Sequence, residues 1–375
     1  MRKSVSRPKV AAIDLFAGAG GFSLAAQKAG IQVLAAVENY AYACDTYGRN
    51  FIEEQSESAP RLYRRDILNL SPKTIMDDLS LAEGALDILM GGPPCQGYSA
   101  HRINNAGVDD PRNKLLLRYF AFVRALKPKI FVVENVPGLL WPRHSEYLKK
   151  FEIAAAKEDY TLFGPSILNA RDYGVPQNRK RVFIIGCRSD IGMKFPWPPP
   201  ATHGAPGSVE VQNGILSAWL PASTVFETPL STSDPNAIHM KHSEALIEVF
   251  ASTPQNGGSR RDSCRTLRCH KNHDGHKDCY GRIDPSNTGP TMTTACINPS
   301  KGRFVHPTKN HGITVRHAAR FQCFPDTFVF KGGLIAGGVQ VGNAVPILLG
   351  EAVLRAISSI LIPSRRIGSF GDANE

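Results

Sequence analysis

Short apolar runs alternate with amphipathic stretches through the first half of the chain, and glycine or proline punctuates them. VAAIDLF (10–16) predicts a buried strand ending in a glycine turn, GFSLAAQKAG (21–30) a helix closed by Gly30, and IQVLAAVEN (31–39) a second strand. ALDILMGGPP (85–94) and KIFVVENV (129–136) predict two more strands. Between them KLLLRYFAFVRALKP (114–128) is a strongly periodic helix stopped by Pro128. Strands that are apolar along their length and alternate with helices require a parallel sheet covered on both faces. In such a sheet ligands bind beyond the carboxyl ends of the strands. Asp14, Glu38, Cys95 and Glu134 lie at or just past those ends, so they are expected to converge.

The pattern changes after RKRVFIIGCR (179–188), another buried strand. KFPWPPPATHGAPG (194–207) marks a domain boundary. From there to about Phe330 the chain is less periodic, richer in Ser, Thr, Asn and Gly, and holds most of the histidines. VQVGNAVPILLGEAVLRAISSIL (339–361) returns to a helical apolar pattern and is expected to pack back on the first domain. The 375 residues therefore divide into a first domain, 1–190 completed by 331–375, and a second, 191–330.

No run of about 18 apolar residues predicts a membrane span. MRKSVSRPKVAAIDLF is basic but lacks the apolar core and small-residue cleavage site of a signal peptide. The protein is thus expected in the cytoplasm, and its eight irregularly spaced cysteines are expected to be reduced. A net charge of +11 fits a polyanionic partner such as nucleic acid, provided that the charge clusters near a site.

Several stretches carry chemistry. In DLFAGAGGFSLA (14–25), Gly18, Gly20 and Gly21 allow a ligand close to the backbone, and the helix start offers free N–H groups to an anion. Glu38 follows after one βα unit, where a carboxylate usually holds ribose hydroxyls, so a nucleotide-like cofactor is expected. Asp66, in RRDIL (64–68), is a partner for an adenine amino group. GGPPCQGYSA (91–100) places Cys95 behind two stiff prolines and before Gln-Gly-Tyr-Ser. An isolated cysteine is best read as packed; this context favours a reactive thiolate. Glu134 follows three apolar residues, where desolvation raises a carboxyl pKa and makes a usable acid. In QNRKR (177–181) Arg179 and Arg181 share a strand face, which suits an anion, a base carbonyl or, equally, a solvated strand edge.

Taken together these motifs resemble the DNA (cytosine-5)-methyltransferases of the bacterial, restriction-modification type. DLFAGAGGFSLA is similar to the family's cofactor motif, GGPPCQGYS to its nucleophile motif and ENVPGLL to its acid motif. RDYGVPQNRKRVFIIG resembles its arginine motif, and ITVRHAARFQCFPDTF and QVGNAVP its last two. The resemblance implies an α/β fold: a Rossmann-like methyltransferase sheet with a smaller, irregular target-recognition domain at 191–330. It implies S-adenosyl-L-methionine as methyl donor and C5 of a flipped-out cytosine in double-stranded DNA as acceptor. It assigns Cys95 as nucleophile, Glu134 as the acid on the base, and Arg181 as a base contact supported by Arg179. Phe16, Gly18, Gly20, Glu38, Asp66, Ile67 and Asn343 fall at cofactor contacts; Gln96 and Ser99 match loop residues beside the flipped base or a phosphate. Asn39 stands where some members carry an aromatic, and His317 replaces a common glutamate. A monomer is expected, with room for a cognate restriction endonuclease acting on the same sequence. A tRNA cytosine-5 methyltransferase and a catalytically silent DNA-binding protein are the alternatives.

GGSRRDSCRTLRCHKNHDGHKDCYGRI (257–283) brings Cys264, Cys269, His270, His273, His276 and Cys279 close in sequence, but without the paired short spacing of structural zinc sites, so no metal is expected. Arg260, Arg261, Arg265, Arg268, Lys271, Lys277 and Arg282 outnumber Asp262, Asp274 and Asp278, and phosphate contacts are expected there. By resemblance, Thr291 and Met292 form a Thr-aliphatic pair of the recognition domain.

Overall fold

A computed structural model describes residues 10–53, 59–94, 113–192, 196–264 and 278–361. The apolar runs form strands β1 (Ala11–Leu15), β2 (Gln32–Glu38), β4 (Ile88–Gly91), β5 (Ile130–Asn135) and β7 (Lys180–Arg188). Two further strands, β3 (Arg61–Arg64) and β6 (Tyr160–Asn169), complete a seven-stranded sheet in the order β3-β2-β1-β4-β5-β7-β6. The first five strands are parallel, but β7 runs antiparallel to both β5 and β6. This corrects the all-parallel expectation. An apolar run records burial on both faces, not direction, and the short connection from Asn169 to Lys180 is a turn rather than a crossover.

Helices α1 (Gly21–Lys28), α2 (Ala41–Tyr47), α3 (Pro72–Leu79), α4 (Asn113–Leu126) and α5 (Ser145–Lys157) flank the sheet. Tyr119, Phe120, Phe122, Phe131 and Phe151 fill one face, with Phe120, Phe131 and Phe151 meeting edge-on at ring separations of 5.4–6.2 Å. Gly30 takes a φ of 80° just past α1, the left-handed conformation that ends a helix.

The irregular region carries a two-residue ladder of β8 (His203–Gly204) with β9 (Ser217–Ala218), and helices α6 (Val209–Gln212), α7 (Ser223–Phe226), α8 (Glu244–Ser252) and α9 (Val315–Phe321). With few ladders, its backbone carbonyls need other donors, and buried arginines supply them. Arg282 donates to the carbonyls of Phe250, Thr253, His306 and Lys309 and to Asn310 Oδ1. Arg316 pairs with Asp234 (2.6 Å) and donates to the carbonyls of Pro325 and Phe328. Arg282 is thus structural, not a phosphate contact.

The C-terminal pattern forms two helices, α10 (Gly333–Asn343) and α11 (Ile347–Ser358), because Pro346 breaks the stretch in an extended conformation. This stretch is long and apolar enough to cross a membrane, but 67% of its most apolar window is buried against the protein, as in a core helix. α11 lies on α1 so closely that a Cβ on Gly350 would stand 2.9 Å from that of Ala25. Ala17, Tyr47 and Phe51, near the carboxyl edge of the sheet, share one apolar cluster with Met292, Ile297, Phe304, Phe321 and Ile347.

Candidate active site

The strand order reverses between β1 and β4, so their adjacent carboxyl ends open a crevice. The chain leaves β1 through Phe16, Gly18 and Gly20, all at positive φ. Gly20 has no room for a side chain: a Cβ there would lie 2.3 Å from the Phe51 ring, whereas nothing lies within 4 Å of one on Gly18. Glu38, at the end of β2, pins this loop. Its Oε2 accepts from the Gly18 N–H (2.8 Å) and its Oε1 from those of Asn39 (2.9 Å) and Tyr40 (2.7 Å).

Asp14 is buried beneath the loop. Its Oδ2 accepts from Ser23 Oγ (2.7 Å), which also meets the Tyr47 hydroxyl (2.9 Å). Its Oδ1 is buried without a partner. Burial pushes the carboxyl up to about 7, against the pull of the Ser23 hydrogen bond. Asp66 caps the turn that follows β3, accepting from the Leu68 N–H (2.9 Å), and Arg118 holds the buried Ile67 through its carbonyl (2.9 Å). Asn343 ends α10 with its side chain exposed.

A second group forms where β5 ends. Because β7 is antiparallel, its first residues lie beside the last of β5. Arg181 Nε therefore reaches Glu134 Oε1 at 2.9 Å, with both side chains about nine-tenths buried. Burial raises the Glu134 pKa, opposed by Arg181 and Arg179. The segment after β4 passes directly over this pair. A Cβ on Gly92 would stand 3.1 Å from Glu134 Oε2, and Asn135 Nδ2 donates to the Pro93 carbonyl (3.3 Å). Cys95, Gln96 and Ser99 lie outside the described residues.

Arg179 departs from the expectation of a second anion-holding arginine. It is buried, and its guanidinium donates to the carbonyls of Met292 (2.6 Å), Gly342 (2.8 Å) and Ala344 (3.0 Å). It braces the backbone around the site. Arg260 also differs from the expected phosphate contact: it is buried on a short turn, whereas Arg261 beside it is exposed. Met292 is fully buried and its backbone N–H is held by Gln177 Oε1 (2.6 Å), so its side chain cannot reach a base edge here. Arg265, Arg268, Lys271, Lys277, Cys269, His270, His273 and His276 lie outside the described residues. Among the described residues no group of three His, Cys, Asp or Glu side chains is arranged to hold a metal.

His317 has a role that the sequence signals only indirectly. Thr314 caps α9, accepting from the His317 N–H (3.1 Å), and His317 Nδ1 accepts in return from the Thr314 N–H (3.3 Å). This is a capping box with histidine where Glu or Gln is usual. The T-x-x-[EQ] pattern, relaxed to admit His, finds it.

A sequence profile described as C-5 cytosine-specific DNA methylase matches residues 10–359. The chain is 34% identical to the Type II methyltransferase M1.HphI of Haemophilus parahaemolyticus, over 92% of this chain and 86% of that one. It is 32% identical to the Type II methyltransferase M.DdeI of Desulfomicrobium norvegicum, over 92% and 88%. Among solved structures, an Escherichia coli protein assigned as a prophage-encoded DNA modification methyltransferase superposes with a TM-score of 0.70 at 23% identity, covering 94% of this chain and 99% of that one. The Entamoeba histolytica methyltransferase EhMeth superposes with a TM-score of 0.63 at 15% identity, covering 95% and 100%.

Proposed function

The chain belongs to the C-5 cytosine-specific DNA methylase family, and from that premise we propose that this DNA (cytosine-5)-methyltransferase modifies one short double-stranded sequence, acting on a flipped-out cytosine through a covalent bond from Cys95 to C6. The observation that carries the reading is the buried Glu134–Arg181 pair, lying directly beneath the Gly92–Pro93 segment that leads to Cys95.

S-adenosyl-L-methionine is the methyl donor in this reading. The residues present fit it: Asp14 Oδ1 is a buried acceptor with no partner, suited to a cationic ligand, and Gly18 leaves open space beside the Glu38 carboxylate. Glu38, Asp66, Ile67, Phe16, Gly20 and Asn343 would hold its nucleoside and amino-acid parts. When bound, the donor supplies an electrophilic methyl group.

Stacked cytosine buries its reacting atoms, so the base must leave the helix first. Cys95 then adds as a thiolate to C6, which makes C5 nucleophilic. Negative charge develops toward N3, and Glu134 meets it with a proton; its raised pKa keeps that proton available. Arg181 holds Glu134 in place at the edge of the space the base would enter. After C5 is methylated, loss of its proton expels the Cys95 thiolate and restores the aromatic ring. Arg261 and the basic stretch after it supply phosphate contacts. A restriction endonuclease cutting the same sequence is the natural companion, since the relatives named above are Type II enzymes.

Base-resolution methylation of DNA from a methylation-free host tests the reading, with Cys95→Ser beside the wild type. Methylation of one motif, absent from the variant, is expected. Soluble protein with no methylation in either strain would overturn it, and 5-methylcytosine in tRNA instead would move the substrate to RNA.

A further inference from the structure

Two buried side chains grip the junction between α10 and α11. Arg179 Nη2 donates to the carbonyls of Gly342 (2.8 Å) and Ala344 (3.0 Å), the two residues that flank Asn343. Gln322 Nε2 donates to those of Val341 (2.8 Å) and Ala344 (3.2 Å). These carbonyls close a helix, where intrahelical partners run out. Water would satisfy them at an open surface; here a fixed guanidinium and a fixed amide do so. Neither grip can slide. A Cβ on Gly342 would fall 2.3 Å from the carbonyl carbon of Thr293, so the junction is wedged against the 291–293 loop. Arg179 Nη1 holds that same loop at Met292, and Gln177 joins Met292 to Gln322 and Phe321. Asn343 is the residue left exposed between the gripped carbonyls.

We propose that Arg179 is a positioning residue for the methyl-donor site: it fixes the backbone on both sides of Asn343, so that the Asn343 side chain meets the donor already oriented. The inference rests on reading Asn343 as a donor contact. A guanidinium suits the task because its planar fork reaches two carbonyls from one side and a third from the other. Lysine carries the same charge at a single point and cannot bracket both carbonyls.

Titration calorimetry of the full chain with S-adenosylhomocysteine, the demethylated donor, tests this through a double-mutant cycle. Arg179→Lys is expected to weaken binding about tenfold in the wild-type background and less than about twofold in an Asn343→Ala background, because the oriented group is then gone. Equal weakening in both backgrounds overturns the proposal and leaves Arg179 as a brace of the fold alone. If Arg179→Lys yields no cooperative melting transition, Arg179→Gln, which removes the buried charge together with the two-carbonyl grip, enters the same cycle; the same two outcomes decide. Wild type that binds no S-adenosylhomocysteine would overturn the donor reading itself, and Asn343→Ala that binds it as wild type does would overturn the contact on which the proposal stands.

Discussion

Asp14 and Glu134 are buried at the carboxyl edge of the sheet with binding capacity to spare; Arg282 and Arg316, just as buried in the irregular region, have spent theirs on the carbonyls and side chains around them. Asp14 keeps an oxygen without a partner, and Glu134 has a raised pKa despite an arginine at 2.9 Å. Arg282, by contrast, makes five hydrogen bonds, four of them to backbone carbonyls. A buried polar group left partly unmatched costs free energy unless a ligand completes it. One built into loop carbonyls replaces the ladders that those loops lack. Buried charge alone therefore does not mark a site; Asp14 and Glu134 are set apart by lying together at the strand ends with capacity left over.

The largest expected effect falls on chemistry. Glu134→Gln should slow methyl transfer by about 10²–10⁴-fold at saturating DNA. A loss below tenfold would place Glu134 among the structural groups and erase the contrast. Next comes Arg282→Ala, which removes a donor from five acceptors, of which, among the described residues, only the Phe250 carbonyl keeps a backbone partner, the Thr253 N–H, and should cost about 3 kcal/mol or more in a urea titration. A change under about 1 kcal/mol would show that water replaces the guanidinium readily.

Asp14 sharpens the comparison through pH. Burial pushes its carboxyl up to about 7, well above the ordinary aspartate range. Such a carboxyl contributes stability that is fully present below the unfolded value and is lost as pH rises through the folded one. The ligand-free wild type should thus lose stability relative to Asp14→Asn between about pH 4 and pH 8, by at most about 4 kcal/mol. Melting both proteins across that range checks it; a constant difference would mean that Asp14 does not titrate there. The smallest effect is at the α9 cap. His317→Ala should cost about 1 kcal/mol, and His317→Glu should restore it. Burial holds the His317 pKa down at about 2. Its contribution is therefore present above the unfolded value and fades as pH falls, so the advantage of glutamate should grow below about pH 6.5.

The sheet was legible wherever burial was two-sided. FVVE, AAID and DILM announce strands because no polar residue interrupts them. β6 was not, since TLFGPSILN mixes apolar and polar residues and is broken by Gly164 and Pro165. Direction was not legible either, and it decides the site: only an antiparallel β7 brings Arg181 to Glu134. Site residues at strand ends could be read from position. Ser23 and Tyr47 could not, because their link to Asp14 spans separate helices without periodic spacing. Counting basic residues overstated the groove at Arg260 and Arg282, since a count cannot tell a solvated arginine from one folded into loop carbonyls.

A seven-stranded sheet has two free margins, and each is a template on which a neighbouring chain can add a strand. One margin here is β3, four residues long, with Arg61 and Arg64 exposed. The other is β6, whose ladder to β7 shifts register between Phe163 and Ser166, at a proline that has no N–H to offer. Crowded copies of the protein thus find no straight, uncharged border to zip onto, and their sheets are kept from stitching together.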